Sequence, residues 1–256
     1  MQADNFLLDN YFDRIGYGGQ AAANIATVGA MMRRQLFTVP FENLDVQAGK
    51  VVSLVPEEIV EKIVNRRRGG YCYEVNGLFA MALQALGIPY QFVAARPMFY
   101  PMRRPKTHMA IVLQLDNAAW LCDLGFGSYG IRAPLRLDGI DVEVQQDSDT
   151  FVLSKESDPV YLLKALVEGQ WTNQYAFDLS PQEWIDFVPA NYLNSTHPDA
   201  IFVQKLLVIL QNPEGRTILL GDRLKSIRHG QVAQETLSLA DRDTILAERF
   251  GLACNG

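Results

Sequence analysis

Cys72 is the residue of this chain best placed to act as a nucleophile. It follows Gly69 and Gly70 and stands at the start of a predicted helix. Unpaired backbone N–H groups and the helix dipole at such a position favour a thiolate, so we expect a lowered pKa. The glycines allow a substrate or a backbone segment to approach closely. A buried, inert thiol is the alternative reading, which we expect to hold for Cys122 in a strand and Cys254 in the terminal tail.

His108 and Asp123 are the predicted partners of the cysteine, because a catalytic thiol needs a base and the base needs an orienting group. His108 begins the apolar segment His108–Leu115, and Asp123 lies near the end of the next one, Ala119–Leu124. Asp116-Asn117 forms a turn between them. If the segments pair about that turn, the two side chains are one residue out of register and can hydrogen-bond. A structural histidine beside a strand-end aspartate is the alternative.

The elements that must position these residues change type along the chain. Predicted helices are Ala23–Phe37, Pro56–Arg66, the segment from Cys72 to Gly87, Gln182–Phe187 and Ala240–Phe250. Predicted strands are Tyr90–Pro97, His108–Leu115, Ala119–Leu124, Asp141–Gln146, Thr150–Ser154, Val160–Ala165, Trp171–Phe177, Ile201–Leu210 and Thr217–Leu220. Pro189–Asp199, rich in Asn, Ser, Thr and Pro, is predicted to be a loop. Short strands at this spacing favour an antiparallel barrel or sandwich.

Composition narrows the class of protein. The chain has 256 residues and 48% hydrophobic content, which suits a globular enzyme of one to three domains. Its net charge of −6 gives no overall attraction to nucleic acid or to an anionic membrane. No apolar stretch approaches the roughly 18 residues of a membrane span, and the N-terminus lacks a basic signal region. Three cysteines indicate a reducing, cytoplasmic setting, and three histidines without CxxC or HExxH predict no metal site.

Several motifs follow one another in a characteristic order. They are YFDRIGY at 11–17, VPFENLD at 39–45, RGGYCYEVN at 68–76, TH at 107–108, DLGFG at 123–127, and NSTHP at 194–198 followed by Phe202. Together they resemble the motifs of the arylamine N-acetyltransferases, from about residue 11 to 202 and more weakly to the end. By itself, the glycine-flanked DLGFG loop is a weak signal for phosphate or oxyanion binding.

The resemblance implies a fold and a reaction. The implied fold class is α+β, with a helical bundle at 1–88 carrying the nucleophile, an antiparallel β-barrel at 89–188 carrying the histidine and aspartate, and an α/β lid at 189–256. Cys72 would take acetyl from acetyl-CoA, with His108 as base and later acid and Asp123 as orienter of a cysteine-protease-like triad. The implied acceptor is a small arylamine, arylhydrazine or N-hydroxyarylamine. The physiological acceptor and the oligomeric state, homo-oligomer included, stay open.

The resemblance also assigns residues around this centre. They are Phe126 and Phe202 in the acceptor pocket, Thr107 and Gly127 near the CoA pyrophosphate, and Arg68 and Glu42 in a structural ion pair. Aromatic walls suit a flat arylamine, although core packing would also explain both phenylalanines. The chain departs from the family where 34–37 lacks a histidine and where Pro97 follows Arg96. These departures leave the acceptor size and the CoA affinity open.

Three other functions compete with acetyl transfer. An amide synthase acting on a carrier-bound polyketide chain would share the fold and the triad. A cysteine hydrolase, papain-like or transglutaminase-like, would share only the triad and would have no need of PFENL or Gly-Phe-Gly. A non-catalytic CoA-binding homologue is disfavoured because all three triad residues are present. An acetyl adduct on Cys72 would distinguish these readings.

Overall fold

Eight helices occur in the part of the chain that the computed structural model describes, residues 1–127, 129–238 and 240–252. They are α1 (Leu8–Ile15), α2 (Ile25–Thr38), α3 (Leu44–Gln47), α4 (Pro56–Val60), α5 (Cys72–Ala85), α6 (Val188–Thr196), α7 (Ile201–Gln204) and α8 (Arg242–Phe250). A π-helical turn, Glu61–Asn65, extends α4. The helices predicted at Ala23, Pro56, Cys72 and Ala240 are confirmed, with their ends shifted by a few residues. None of the helices in these ranges is long and apolar enough to cross a membrane.

The strands form two antiparallel sheets. They are β1 (Phe41–Glu42), β2 (Tyr90–Pro97), β3 (His108–Leu115), β4 (Ala118–Cys122), β5 (Leu135–Arg136), β6 (Glu143–Gln146), β7 (Asp149–Ser157), β8 (Val160–Val167), β9 (Gln170–Gln182), β10 (Leu207–Asn212), β11 (Gly215–Leu220), β12 (Arg223–Arg228) and β13 (Gln231–Thr236). The large sheet has the order β5-β4-β3-β2-β9-β8-β7-β6, and the small sheet has the order β1-β10-β11-β12-β13. The strands predicted between Tyr90 and Phe177 are confirmed, most of them with extended or shifted ends.

The large sheet curls until its two edge strands approach each other. Gln146 of the edge strand β6 bonds to the segment just before the other edge strand, β5. Its Oε1 accepts from the backbone N–H groups of Arg132 at 2.7 Å and Ala133 at 3.1 Å, and its Nε2 donates to the Ala133 carbonyl at 2.9 Å. The predicted barrel is therefore a curled sheet whose edges meet through side-chain contacts, Gln146 among them, rather than through strand pairing.

The predicted loop at Pro189–Asp199 is wrong, because most of it forms the helix α6. Asn and Ser disfavour helix interiors when they compete for the backbone, but here their side chains bond elsewhere. Asn191 donates to the Val52 carbonyl at 2.8 Å, and Ser195 Oγ accepts from the Val52 N–H at 3.3 Å. Tertiary hydrogen bonds thus override local propensity.

Two other predictions nearby are also wrong. Gln182–Phe187 is not an α-helix, since Gln182 ends β9 and only a 3₁₀ turn, Trp184–Phe187, follows. Ile201–Leu210 is not one strand, since its first part is the short helix α7 and β10 begins at Leu207. The hairpin of β12 and β13 was not predicted. All six residues of β13 are exposed, so its sequence carries no apolar alternation that would mark a strand.

The central helix α5 is buried on every side. Twelve consecutive residues from Cys72 to Leu83 are buried, which explains why its sequence is apolar all round. At its start, the Glu74 carboxylate accepts from the N–H of Tyr71 at 2.9 Å and satisfies one of the unpaired groups of the first turn. The start of α5 is therefore fixed at the nucleophile.

Arg14, from the first motif, holds the chain that leads into α5. It is buried, and its guanidinium donates to the carbonyls of Ile63 at 2.7 Å, Thr38 at 2.9 Å and Arg68 at 3.0 Å. One side chain of α1 therefore binds three separate segments, and one of them is the segment that leads into Cys72.

Candidate active site

His108 and Asp123 are in direct contact. His108 Nε2 lies 2.6 Å from Asp123 Oδ2, and both residues are buried. Asp123 Oδ1 accepts from the N–H of Gly125 at 2.9 Å, which fixes the carboxylate in its loop. With Nε2 engaged by the carboxylate, Nδ1 is the ring nitrogen left to exchange a proton. The two side chains that the sequence paired are therefore hydrogen-bonded to each other.

The β3–β4 hairpin explains the contact, with one correction to the predicted register. Ile111 faces Cys122 and Leu115 faces Ala118, so Asp123 lies two residues from the position facing His108. Side chains alternate between faces, so an offset of one would have put the two on opposite sides of the sheet. The offset of two keeps them on one face, in diagonal contact.

Asn76 joins the nucleophile's helix to this hairpin, and the sequence reasoning missed it. Its Nδ2 donates to the Met109 carbonyl at 2.8 Å and to Asp123 Oδ1 at 3.2 Å. Its Oδ1 accepts from the Leu124 N–H at 2.9 Å. Asn76 lies one turn after Cys72 on α5. The signal that could have revealed Asn76 is an amide side chain four residues after Cys72, among the buried apolar residues of α5.

Two glycines permit the close packing around the cysteine. A side chain at Gly125 would overlap the Cα of Cys72, and one at Gly69 would overlap the Pro40 carbonyl. The Gly70 N–H donates to that same carbonyl at 3.2 Å. The sequence allowed either a substrate or a backbone segment to approach Gly69 and Gly70 closely. The group found there is a backbone segment, at Pro40.

The prediction that the Cys72 pKa is lowered is wrong for the thiol in the folded chain. Burial raises the pKa of the Cys72 thiol above its usual range, and the charge of Asp123 raises it further. The backbone N–H groups of Tyr73 and Met109 donate to the sulfur and oppose this effect without overcoming it. Helix-end dipoles are worth less than the desolvation of a buried anion. A thiolate at Cys72 therefore needs a cation beside it.

Iodoacetamide at neutral pH is expected to label Cys72 much faster than Cys122. Cys72 opens into a cavity next to His108, whereas Cys122 is fully buried in β4 and does not line that cavity. Peptide mapping after a time course measures both rates. Equal rates would contradict an activated Cys72. Cys254, the third thiol, lies outside the described residues.

Cys72 and His108 open into one large cavity of about 590 Å³. Of the other residues predicted around the centre, Thr107, Phe126 and Phe202 also line it. Among the described residues, those that line this cavity do not include Gly127, Glu42 or Arg68. Gly127 has a φ of +93° and its carbonyl accepts from Gln211 Nε2 at 2.8 Å. The cavity is large enough for a substrate rather than for a few waters.

Comparison with known proteins places the chain in a family. A family model described as N-acetyltransferase matches residues 24–255. An arylamine N-acetyltransferase of Escherichia coli strain K12 is 32% identical over 251 residues, covering 96% of this chain and 89% of that protein. The chain belongs to the arylamine N-acetyltransferase family. It is an acetyltransferase enzyme.

Solved structures of arylamine N-acetyltransferases share the fold. The structure from Nocardia farcinica matches with a TM-score of 0.93 at 30% identity, covering 98% of this chain and 91% of that one. The structure of the Mycobacterium marinum enzyme in complex with CoA matches with a TM-score of 0.91 at 30% identity, covering 96% and 92%. The predicted mixture of helices and antiparallel strands is thus the fold of this family.

Aromatic rings form the wall of the cavity beside His108. The Phe126 ring centroid lies 5.2 Å from that of His108 and 4.8 Å from that of Tyr175. The ring centroid of Phe202, which also lines the cavity, lies 5.6 Å from that of Tyr71. Tyr175 is fully buried against His108 at 5.1 Å, so it restricts the imidazole's rotation, and sequence reasoning did not single it out. In an arylamine N-acetyltransferase such walls suit a flat ring.

The predicted pair of Arg68 and Glu42 is present and belongs to a larger network. Arg68 Nη2 lies 2.7 Å from Glu42 Oε1. Lys62 Nζ joins it, at 3.6 Å from Glu42, 2.6 Å from Asp45 and 2.6 Å from Glu74. Three carboxylates and two cations therefore lie behind the start of α5. Since such buried networks are weak evidence for net stability, we interpret this one as positioning the helix start.

The free energy of unfolding is expected to depend on pH through Glu74. Burial and the charge of Glu42 raise the pKa of Glu74 from 4.5 to about 7, against the opposing charge of Lys62. A raised pKa means that the folded state binds the proton more tightly, so this stabilisation is complete below pH 4.5 and is lost as pH rises to about 7. Relative to Glu74→Gln, the wild type should become less stable across that window.

Urea unfolding at a series of pH values measures this difference. Glu235→Gln, on the exposed strand β13, is the control and should leave the wild-type pH dependence as it is. Parallel curves for the wild type and Glu74→Gln would contradict the prediction.

Proposed function

We propose that this enzyme transfers an acetyl group from acetyl-CoA to the nitrogen or oxygen of arylamines, arylhydrazines or N-hydroxyarylamines. The transfer proceeds by a ping-pong mechanism through an acyl-Cys72 intermediate. The observation that carries the proposal is the 2.6 Å bond between His108 and Asp123 on the wall of the cavity that Cys72 shares. The names of the relatives support the substrate class.

In the first half-reaction His108 removes the thiol proton of Cys72 as the sulfur attacks the thioester carbonyl. Because the thiol is buried and its pKa is raised, proton transfer and attack are coupled rather than separated by a free thiolate. Asp123 stabilises the imidazolium that forms. The N–H of Tyr73, which donates to the thiol sulfur before the reaction, is our candidate donor to the developing oxyanion once the sulfur has become bonded to the acyl carbon. The imidazolium then protonates the departing CoA sulfur.

In the second half-reaction the acceptor attacks the acetyl-cysteine. His108 removes the proton from the attacking nitrogen or oxygen, and Cys72 leaves as the thiol. The rings of Phe126 and Phe202 line the space in which an aryl group would lie. Splitting one transfer into two thioester steps lowers each barrier.

We assign the parts of this mechanism to three segments of the chain. Residues 1–88 contribute Cys72 on α5, and residues 89–188 contribute His108 on β3 and Asp123 after β4. Residues 189–256 act as an α/β lid over the donor. One face of the small sheet, with Ile209 and Ile218, lines the cavity, which supports the assignment.

Intact-mass analysis after mixing the enzyme with acetyl-CoA tests the proposal. Without acceptor, the mass should rise by one acetyl group located on Cys72, and adding an arylamine should remove it. An adduct formed only by a longer acyl thioester would favour an amide synthase. No adduct with any thioester would favour a cysteine hydrolase and overturn the proposal.

A further inference from the structure

A buried ion cluster joins the two sheets, and the proposed mechanism does not use it. Arg132, in the segment before β5, is fully buried, and its Nη2 lies 2.6 Å from Asp149 Oδ2 at the start of β7. Arg216 of β11 is also buried and donates to the other oxygen of Asp149. We call these three side chains the Arg132 cluster. Two of them belong to the large sheet and its connections, and Arg216 belongs to the small sheet.

Arg132 also holds the turn between β10 and β11. Its Nη1 donates to the Asn212 carbonyl at 2.6 Å, and its Nη2 donates to the Gly215 carbonyl at 3.0 Å. Asn212 and Gly215 face each other as the last pair of the β10–β11 hairpin. One side chain next to the large sheet therefore binds the backbone on both sides of this turn of the small sheet.

The small-sheet face that carries Arg216 continues into the wall of the active-site cavity. Arg216 lies two residues from Ile218, which pairs with Ile209 on β10, so the three side chains share one face. Both isoleucines line the cavity, as does Tyr129, whose ring centroid lies 4.2 Å from the Arg216 guanidinium. The Arg132 cluster therefore fixes the same face that borders the cavity.

The opposite face of the small sheet has a core that it shares with α8. Its buried side chains are Leu206, Val208, Leu219, Leu224, Leu246, Phe250 and Leu252. Contacts at the two ends of β10 attach this unit to the rest of the protein across the cavity. At the start of β10, β1 pairs with the strand and Asn43 Oδ1 accepts from the Leu207 N–H at 2.7 Å. At its end lies the Arg132 cluster.

We propose that the Arg132 cluster keeps the small-sheet wall closed over acetyl-Cys72 and so protects that thioester from water, an inference that rests on the proposed function. In hydrolysis, the water oxygen would bond to the acetyl carbon and the carbon–sulfur bond would break. His108 would carry one water proton to the sulfur, giving acetic acid and the Cys72 thiol. Because a base that deprotonates an arylamine can also deprotonate water, the exclusion of water has to come from the cavity walls.

Arg132→Met tests this role with the remaining charges still paired. Asp149 keeps Arg216, and Asp147, which lies 3.7 Å from Arg132, keeps Arg33 at 2.6 Å. Methionine occupies much of the space but donates no hydrogen bond, so the β10–β11 turn loses its bonds to this side chain. Arg132→Lys, with a point charge in place of the planar guanidinium, should have an intermediate effect.

The measurement is the decay of acetyl-Cys72 in water. The adduct is formed with acetyl-CoA, the free donor is removed, and loss of the acetyl group is followed by intact-mass analysis without acceptor. Arg132→Met should lose the acetyl group about tenfold faster than the wild type, because water reaches the thioester. Since only folded enzyme forms the adduct, a lower free energy of unfolding would not by itself accelerate the decay.

Arg33→Met is the matched control. It removes the same charge from an ion pair with Asp147, in the turn between β6 and β7, and Arg33 does not line the cavity. Its adduct should decay at the wild-type rate. A wild-type rate in Arg132→Met would overturn the inference. If that variant does not fold, a wild-type rate in Arg132→Lys would overturn it equally.

Amide hydrogen exchange tests the holding role without any reaction. The backbone amides of β10 and β11 should exchange faster in Arg132→Met than in the wild type, whereas those of α5 should keep their rates. Equal exchange of β10 and β11 in both proteins would also overturn the inference. If the wild type forms no acetyl-Cys72, the proposed function fails, and hydrogen exchange alone then decides whether the Arg132 cluster holds the small sheet.

Discussion

Replacement of Cys72 by alanine is expected to abolish acetyl transfer, with a fall in kcat on the order of 10⁶. Alanine offers no atom to carry the acyl group, so the two half-reactions cannot be separated and only uncatalysed transfer within the cavity remains. Assays with acetyl-CoA and an arylamine measure the loss, and intact-mass analysis should find no adduct at all.

The fold should survive this change. Cys72 is 3% exposed and alanine removes one sulfur atom from the first turn of α5, so the free energy of unfolding should change by about 1 kcal/mol. Cys122→Ala is the matched control: it also deletes a buried thiol, does not line the cavity, and should keep acetyl transfer. Activity retained by Cys72→Ala would rule out the covalent mechanism.

Replacement of Asp123 by asparagine is expected to lower kcat/KM by about 10⁴. The amide is the same size and can still accept from the N–H of Gly125, so the loop should keep its course. It cannot stabilise an imidazolium as a carboxylate does, and its NH₂ group, if turned to His108, would bind the wrong tautomer.

Asp116→Asn, in the turn of the same hairpin, is the control for the Asp123 variant. Asp116 has a positive φ, which asparagine tolerates, and its side chain accepts from the N–H of Ile25 at 3.3 Å; neither residue lines the cavity. It should keep wild-type kcat/KM. An Asp123→Asn enzyme within tenfold of wild type would show that the contact with His108 is structural only.

Local sequence was enough to indicate the three residues that we propose to react. Gly69 and Gly70 before a helical pattern marked the start of α5 at Cys72, because glycine and helix-end signals act within a few residues. The turn at Asp116-Asn117 fixed the β3–β4 hairpin and so brought His108 to Asp123. Both central residues of that turn have positive φ, which asparagine and aspartate accept more readily than most side chains.

Tertiary contacts determined two elements that the local sequence pattern did not indicate, the helix α6 and the strand β13. The helix α6 has a loop-like composition and forms because Asn191 and Ser195 bond to Val52, which is more than a hundred residues away in sequence. The strand β13 has no apolar face to indicate it, and among the described strands it pairs with β12 alone.

The expected pKa of the Cys72 thiol also changed once the tertiary structure was known. The sequence indicated its position at a helix start, where a thiol pKa is lowered, whereas the folded chain buries it beside Asp123, and that raises the pKa. The sequence alone determined which three residues could react, since spacing and turn signals are local. The tertiary structure decided that the thiol is buried beside Asp123 and that Asn76 joins α5 to the hairpin, because desolvation and long-range hydrogen bonds exist only in the packed chain.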